Sequence, residues 1–303
     1  MNSLKFKRFL ILIIAVTFLS TCAWYVLKPY DYTVTFKTKA NFGTINQTLK
    51  LWSNSILDSA YIVKQKSLND VKQQIVSRGN SYIYHWQFVN INDSLTRVNI
   101  GINDENHSLK NRIDNLFSYT DFEKEVKTTI TDFVTILKEH LDKFKVTIIG
   151  EVNIPEVYCA YVSVKSKQYN KAKGMMQNYG LLNSVLIQNH IVLNGRPIVD
   201  VTNWNMQNDS IHFDFCYPII KQEKLPDFDI IKYKWIKSKK AIKAVYNGNY
   251  ITSDRAWYAL LEYAKKNKIK VSKTPLEVFY NNPNFGGDEL RWKAEIYMPL
   301  NNN

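Results

Sequence analysis

Cysteine and histidine are scarce in this chain of 303 residues, and their scarcity limits the chemistry that it can perform. The three cysteines, Cys22, Cys159 and Cys216, make neither a disulfide framework nor a zinc site. Cys159 and Cys216 lie in predicted strands and are expected to be small buried thiols, with a bridge between them left open outside the cytosol. The five histidines show neither metal-ligand spacing nor an HExxH motif, so we expect no metal and no cofactor.

Clusters of cations are missing as well, although the formal net charge is +13. The lysines are scattered along the chain, and no motif that reads DNA or RNA is visible. Such a distribution is typical of a solvated surface, so we expect no nucleic-acid partner, and any protein partner is unknown. The apolar share of 45% and the aromatic share of 14% predict well-filled cores, and the length suffices for two domains.

Only one apolar run is long enough to cross a bilayer. It comprises residues 9–27, and at ~1.5 Å per residue a helix of this length spans about 28 Å, nearly the thickness of the hydrocarbon layer. Cations precede it, and Trp24 and Tyr25 near its end suit the aromatic belt of a membrane interface. Residues 1–29 are therefore predicted to be a cytoplasmic stub and a single-pass anchor in the cell membrane, with the later domains outside the cytoplasm.

Two alternatives remain for this segment. A cleaved signal peptide is one, although the apolar stretch is long for it and no small-x-small site precedes a clear polar start. A lipoprotein signal is the other, with Cys22 of "LSTC" as the acylated residue. Thr21 is a poor residue just before such a cysteine, and apolar sequence continues beyond it. The length of the run favours the retained anchor.

The segment of residues 30–147 has the pattern of an α+β domain. Alternation in "YTVTFKTK" predicts a strand, and the apolar spacing of Phe42, Ile45, Leu49 and Trp52 predicts a helix. The runs "VKQQIVSRG", "SYIYHWQFVNI" and "LTRVNIGIND" predict an antiparallel sheet. The stretch "YTDFEKEVKTTITDFVTILKEHLDKFK" predicts a long amphipathic helix that closes the unit.

This order of elements resembles the START-like, or SRPBCC (polyketide cyclase-like), fold. The part that carries the resemblance is "LTRVNIGIND" leading through "IDNLF" to "DFEKEVKTTITDF". The resemblance implies a helix-grip domain in which the long helix closes a curved sheet over a hydrophobic cavity. Four aromatic residues of one strand either line that cavity or fill a core: Tyr82, Tyr84, Trp86 and Phe88.

The segment of residues 148–303 contains one pattern twice, in residues 154–220 and again in 230–301. Each copy predicts a strand, a helix, a strand that follows a proline and a final strand closed by a proline. In this alignment Asp214 of "FDFCYPI" is opposite Glu295 of "AEIYMPL". Strand periodicity places Glu295 on one face with Lys293 and Tyr297, away from the apolar face of its own strand.

The repeated segment resembles the GyrI-like effector-binding domain of bacterial transcription activators. The matching pieces are "VYNGNY", "RAWYALLEYAKKN", "PLEVFYNNP" and "ELRWKAEIYMPL". The resemblance implies a pseudo-two-fold duplicated βαββ domain with a groove for hydrophobic, including cationic aromatic, ligands. It implies that Glu295 is the acid in the groove, that Glu277 lies on the neighbouring strand and that Asp214 is the vestigial counterpart in the first copy. The implied walls are Tyr246, Tyr250, Trp257, Phe279 and Tyr297.

These features predict a membrane-anchored protein that senses, sequesters or transfers hydrophobic small molecules. No DNA-binding helix pair precedes the effector-binding segment, so no DNA-binding activity is expected. The alternative is a hydrolase of a reactive small molecule with Glu295 as general base, although no nucleophile–base constellation supports catalysis. A third interpretation is an envelope scaffold whose pockets are simply filled. For Glu295 itself, the alternative to a groove residue is a solvated strand residue paired with Lys293 or Arg291.

Overall fold

The computed structural model of the chain describes residues 3–56, 60–92 and 95–301, so the outermost residues of the predicted anchor and effector-binding ranges lie outside it. The described residues contain six α-helices and two antiparallel sheets, which confirms the α+β class. The chain divides into two compact units. The first comprises Met1–Thr38 and Trp52–Val134, and the second comprises Lys39–Leu51 and Thr135–Asn303.

Nine elements precede residue 143. They are α1 (Ser3–Leu27), β1 (Tyr32–Thr38), α2 (Phe42–Ser55), β2 (Ala60–Ser67), β3 (Asp70–Ser77), β4 (Asn80–Asn92), β5 (Leu95–Asp104), α3 (Ser108–Asp114) and α4 (Asp121–Asp142). The strands form an antiparallel sheet in the order β1-β5-β4-β3-β2. The sequence patterns predict all of these elements except β2 and α3. The boundaries between the two units fall within α2 and α4.

Helix α1 is apolar throughout most of its length. Among the described residues, one helix is long and apolar enough to cross a bilayer, with its apolar span at Phe6–Leu27. Its large side chains are exposed rather than packed in a protein core. Both properties follow from a run rich in Phe, Leu, Ile and Val and free of charged residues from Phe9 to Leu27, which presents apolar side chains on every side of the helix.

Aromatic rings fill the core of the first unit. The inward residues of β4 are at most 2% exposed: Tyr82, Tyr84, Trp86 and Phe88. Trp86 packs against Phe133 of α4 with the ring centroids 4.9 Å apart, and its indole nitrogen donates a hydrogen bond of 2.8 Å to Gln73. Such packing, with the one polar atom of the ring satisfied, stabilises a sheet under a closing helix.

The second unit is built on an eight-stranded antiparallel sheet. Its remaining elements are β6 (Phe144–Asn153), β7 (Val157–Lys167), α5 (Lys171–Gln188), β8 (Ile198–Asn205), β9 (Ser210–Pro218), β10 (Lys232–Ile236), β11 (Lys240–Gly248), α6 (Arg255–Lys266), β12 (Leu276–Phe279) and β13 (Lys293–Pro299). The strand order is β10-β7-β9-β8-β12-β13-β11-β6. The two halves of the sheet have the same order from the central β8–β12 pair outward. In each half the strand after the helix (β8 or β12) is followed by the closing strand (β9 or β13), the strand before the helix (β7 or β11) and an edge strand (β10 or β6). The predicted boundary between residues 147 and 148 falls inside the edge strand β6.

Both long helices of this unit lie on the same face of the sheet. Lys171 of α5 and Trp257 of α6 each bind the carboxylate of Glu277, whose side chain projects from β12. Residues directly opposite each other on paired strands share a face, so the register assigns every strand residue to the helix side or to the other side. We call the side opposite the helices the distal face.

Candidate functional site

The distal face has an apolar core, whose members are at most 6% exposed. Its buried members form one cluster, which comprises Ile154, Cys159, Ile198, Cys216, Ile236, Ala241, Leu276 and Tyr297. The strand pairing places Leu276 between Asp200 on β8 and Tyr297 on β13. The register continues to Asp214 on one side and to Lys243 on the other. Apolar residues thus occupy the centre of a row that ends in charged residues.

Glu295 lies at one end of the distal face. Its carboxylate accepts hydrogen bonds of 2.8 Å from the ammonium groups of Lys243 and Lys293 and from the hydroxyl of Tyr297. Burial alone would raise the pKa of Glu295, but these three donors outweigh it and lower the pKa to about 2. The contacts with Lys293 and Tyr297 confirm the face predicted from strand periodicity. The cluster carries two positive charges and one negative charge.

Asp200 and Asp214 form the opposite cluster. The ammonium group of Lys234 on β10 donates to Asp200 at 2.6 Å and to Asp214 at 2.5 Å. Ser163 donates to the other carboxylate oxygen of Asp214 at 2.6 Å. This cluster carries two negative charges and one positive charge, so the two clusters have opposite net charges. Asp200 on β8 is in register with Tyr297 on β13, two residues from Glu295. Two strand spacings of ~4.8 Å and this offset separate Asp200 from Glu295 by about 12 Å.

Each lysine of the two clusters also lies over a tyrosine ring. Lys234 is 4.8 Å from the ring centroid of Tyr161, and Lys243 is 5.2 Å from that of Tyr297. Lys293 is 4.2 Å from the ring centroid of Tyr280. These contacts hold the ammonium groups between a carboxylate and a π face, which restrains them in a partly buried setting.

A cavity opens beside the Asp200 cluster. Its volume is about 190 Å³, and it is lined by Asp200, Trp235, Ile236, Lys237, Lys239, Thr274, Leu276 and Pro299. Pockets that enclose a drug-sized molecule measure roughly 300–1,000 Å³. The cavity is therefore large enough for only part of such a molecule.

The structure does not bring the predicted site residues together on one face. Glu295, Tyr297 and Asp214 lie on the distal face. The others lie on the helix side or in the segments packed against it, and all of them are at most 4% exposed: Tyr246, Tyr250, Trp257, Glu277 and Phe279. The physical reason is the pairing of Glu277 with Ile296 and of Phe279 with Ala294, which puts both on the face that Glu295 avoids.

Glu277 is a structural acid in this arrangement. Its fully buried carboxylate accepts hydrogen bonds from Lys171 at 2.5 Å, from the indole nitrogen of Trp257 at 2.6 Å and from Ser253 at 3.1 Å. Burial raises the pKa of Glu277, while Lys171 opposes that rise. Tyr250 packs on Phe279 with ring centroids 4.7 Å apart, so the predicted aromatic walls form the core under α6.

Sequence reasoning missed three charged residues of the distal face: Asp200, Lys234 and Lys243. Each has an apolar or aromatic residue on both sides in its strand, as in "PIVDV", "KYKWI" and "KAIKAV". That signal marks a polar residue on one face of a strand. It cannot show which strands pair, and the pairing is what brings Lys234 to two aspartates and Lys243 to Glu295.

Comparisons with known proteins give structural neighbours only. No protein-family profile and no curated protein matches the chain. The C-terminal domain of EcmrR is 16% identical, with 53% of this chain and 99% of that chain covered, at a TM-score of 0.44. SAV2435 bound to tetraphenylphosphonium is 10% identical over 52% of this chain and 93% of that one, at 0.34. A hydrolase from Listeria innocua is 10% identical over 54% and 98%, at 0.32. Scores below 0.5 do not establish a family, and the argument below rests on this chain's own side chains.

Proposed function

We propose that the protein is a membrane-anchored binding protein for lipophilic small molecules, with the ligand on the distal face of the eight-stranded sheet. The observation that carries the proposal is a partly open cavity beside the buried apolar cluster of the distal face, which lies between two lysine–carboxylate clusters of opposite net charge. An apolar surface with a few convergent polar groups is the usual character of a small-molecule site.

The charge arrangement favours a cation at the aspartate end. Asp200 and Asp214 share one lysine, so their cluster keeps a net negative charge. Lys237 and Lys239 also line the cavity, and Lys237 pairs with Glu156 at 3.3 Å. A unit positive charge about 4 Å from the net charge of the cluster gains about 4 kcal/mol at an effective dielectric constant of 20, before the cost of desolvation and the repulsion by these lysines are subtracted. Glu295, which sequence reasoning assigned to cation selection, has two lysines beside it. Its role in this proposal is to neutralise one of them.

The finer architecture is part of the same proposal. The second unit is a GyrI-like domain that arose by duplication of a βαββ unit, as the matching order of strands from the centre outward supports. The first unit is a START-like domain behind α1, and α1 is a retained anchor with its N-terminus in the cytoplasm. An anchor would hold a lipophilic-ligand site close to the bilayer, where such ligands concentrate.

The hydrolase alternative receives no support from the state of Glu295. A general base works best when its pKa lies near the working pH. The pKa of Glu295 is lowered to about 2 by Lys243, Lys293 and Tyr297, against the effect of burial. A carboxylate so strongly stabilised in its charged form is a weak base, and its oxygens already accept three hydrogen bonds.

A pair of lipophilic ions of matched size tests the proposal. Tetraphenylphosphonium and tetraphenylborate differ in the sign of their charge, so equilibrium dialysis of both against the full chain in lipid nanodiscs separates charge from hydrophobicity. Nanodiscs without protein give the correction for partitioning into lipid. We expect saturable binding of the cation.

The matched variants are Asp200→Asn at the site and Asp227→Asn as control, because the Asp227 side chain is 98% exposed. Asp200→Asn should weaken cation binding by about tenfold, a loss of about 1.4 kcal/mol, because it removes the net negative charge without changing shape. It should leave the anion unaffected, and Asp227→Asn should resemble the unmodified protein. Equal binding of both ions by all three proteins would overturn the proposed ligand preference, and no saturable binding of either would overturn the site.

A further inference from the structure

Helix α3 has its polar side turned inward and its apolar side turned outward. Asn111 and Arg112 are buried, whereas Leu109 and Ile113 of the same helix are exposed. The turn that follows exposes Leu116 and Phe117 as well, and Phe117 is 82% exposed. A helix on the surface of a soluble domain shows the opposite arrangement, because apolar side chains gain free energy by leaving water.

The buried side of α3 is fastened to the end of α1. Arg112 donates to the backbone carbonyl of Val26, and Tyr25 donates from its hydroxyl to the backbone carbonyl of Arg112 at 2.9 Å. The guanidinium of Arg112 also binds Asp31 at 2.6 Å. Asp31 accepts a further hydrogen bond of 2.6 Å from Ser108, at the start of α3. These bonds fix α3 beside the last turn of the apolar helix.

That position gives the exposed apolar surface a specific neighbour. The apolar span of α1 ends at Leu27, so Val26 lies where a membrane-spanning helix would leave the hydrocarbon layer. A group hydrogen-bonded to Val26 therefore lies at the level of the lipid headgroups. Leu27 and Trp24 of α1 are exposed too. The exposed apolar side chains of α3 therefore lie at the same level of the membrane as those at the end of the anchor.

We propose that Leu109, Ile113, Leu116 and Phe117 form a lipid-contact surface that inserts into the headgroup–acyl boundary of the bilayer beside the end of α1. Apolar side chains of interfacial helices enter this boundary by about 5–10 Å. The inference rests on the anchor of the proposed function and adds a second attachment.

Depth-dependent quenching tests the inference on the full chain in vesicles of zwitterionic and anionic phospholipids. An environment-sensitive fluorophore is attached to Phe117→Cys in a Cys22→Ser background, where the two other cysteines are buried. The matched control is Val89→Cys, which is also exposed. Val89 pairs with Arg97 on β5. Arg97 lies seven residues along β5 from Asp104, and Asp104 accepts a hydrogen bond from Asn111 of α3. At ~3.4 Å per residue this separation is about 24 Å. A third protein carries the label on native Cys22 and reports on the anchor.

We expect nitroxide-labelled lipids to quench the label at position 117 several-fold more strongly than at position 89, with a blue-shifted emission at 117. Equal weak quenching at 117 and 89, with strong quenching at Cys22, would overturn the contact surface and leave the anchor standing. Absence of quenching at Cys22 would overturn the anchor, and the contact surface with it. Protection of position 117 from lipid quenchers, together with a disulfide-linked dimer of the unlabelled Phe117→Cys protein under oxidation, would assign the surface to a second copy of the chain and overturn the inference.

Discussion

The ion-pair cluster at Glu295 makes a quantitative prediction for the variant Glu295→Gln. The pKa of Glu295 falls from 4.5 to about 2 in the folded protein, because hydrogen bonds from Lys243, Lys293 and Tyr297 outweigh burial. At about 1.4 kcal/mol per pKa unit, this corresponds to at most about 3 kcal/mol of stability. Screening by solvent at a partly exposed site reduces the expected value to about 1–2 kcal/mol.

The sign of the pH dependence follows from the direction of the shift. A carboxyl whose pKa is lowered by folding stabilises the folded state fully above its unfolded pKa of 4.5. That stabilisation is lost as the pH falls from 4.5 through about 2. The free energy of unfolding should therefore differ between Glu295→Gln and the unmodified protein at pH 7, and the difference should shrink across this acidic range.

Thiol accessibility in urea is a suitable assay, because Cys159 and Cys216 are buried in the second unit and become reactive when it unfolds. A dithiodipyridine reagent reacts with thiols in acid as well as at neutral pH, and Cys22→Ser removes the exposed thiol. Asp227→Asn is the control for loss of an exposed carboxylate. The assigned role of the cluster would be refuted if Glu295→Gln were as stable as Asp227→Asn at pH 7. It would also be refuted if the stability difference between Glu295→Gln and the unmodified protein persisted undiminished at pH 2.

Two further predictions concern buried charge in the second unit. Lys171→Met should lower the free energy of unfolding by about 3–5 kcal/mol, because it leaves Glu277 buried without its partner. The added change Glu277→Gln should restore part of the loss. If Lys171→Met alone were as stable in urea as the unmodified protein, the prediction would be wrong. Burial, and after it the charge of Arg255, lowers the pKa of His140 from 6.5 to about 4. Stability should therefore fall as the pH drops from 6.5 to 4, and His140→Gln should flatten that pH profile; an unchanged profile would refute the role of His140.

Local periodicity predicted much of the fold because each pattern is complete within one element. The alternation in "YTVTFKTK" corresponds to β1, and the stripe that includes Phe133 corresponds to α4. The same reasoning placed Glu295 on a face with Lys293 and Tyr297, as the contacts confirm. In each case the neighbours are close in sequence or repeat at a fixed spacing.

The composition of the site depends on strand register, which local patterns do not contain. The pairing of Glu277 with Ile296 turns this acid toward the helices, although the resemblance to the effector-binding domain implied a ligand-binding residue on the strand beside Glu295. Lys243 reaches Glu295 only because β11 lies beside β13. Helix α3 was missed for a different reason, since its apolar residues face outward and give no pattern of a helix packed on a core.

The most direct test of the central claim is to locate a bound ligand on the sheet. A lipophilic phosphonium cation that carries a diazirine can be crosslinked to the full chain in nanodiscs by light, and the labelled peptides identified by mass spectrometry. The account predicts label on peptides of the distal face that contain Asp200, Ile236 or Leu276, competed by excess tetraphenylphosphonium. Competed label on the α6 peptide that contains Trp257, or only on the first unit, would contradict it.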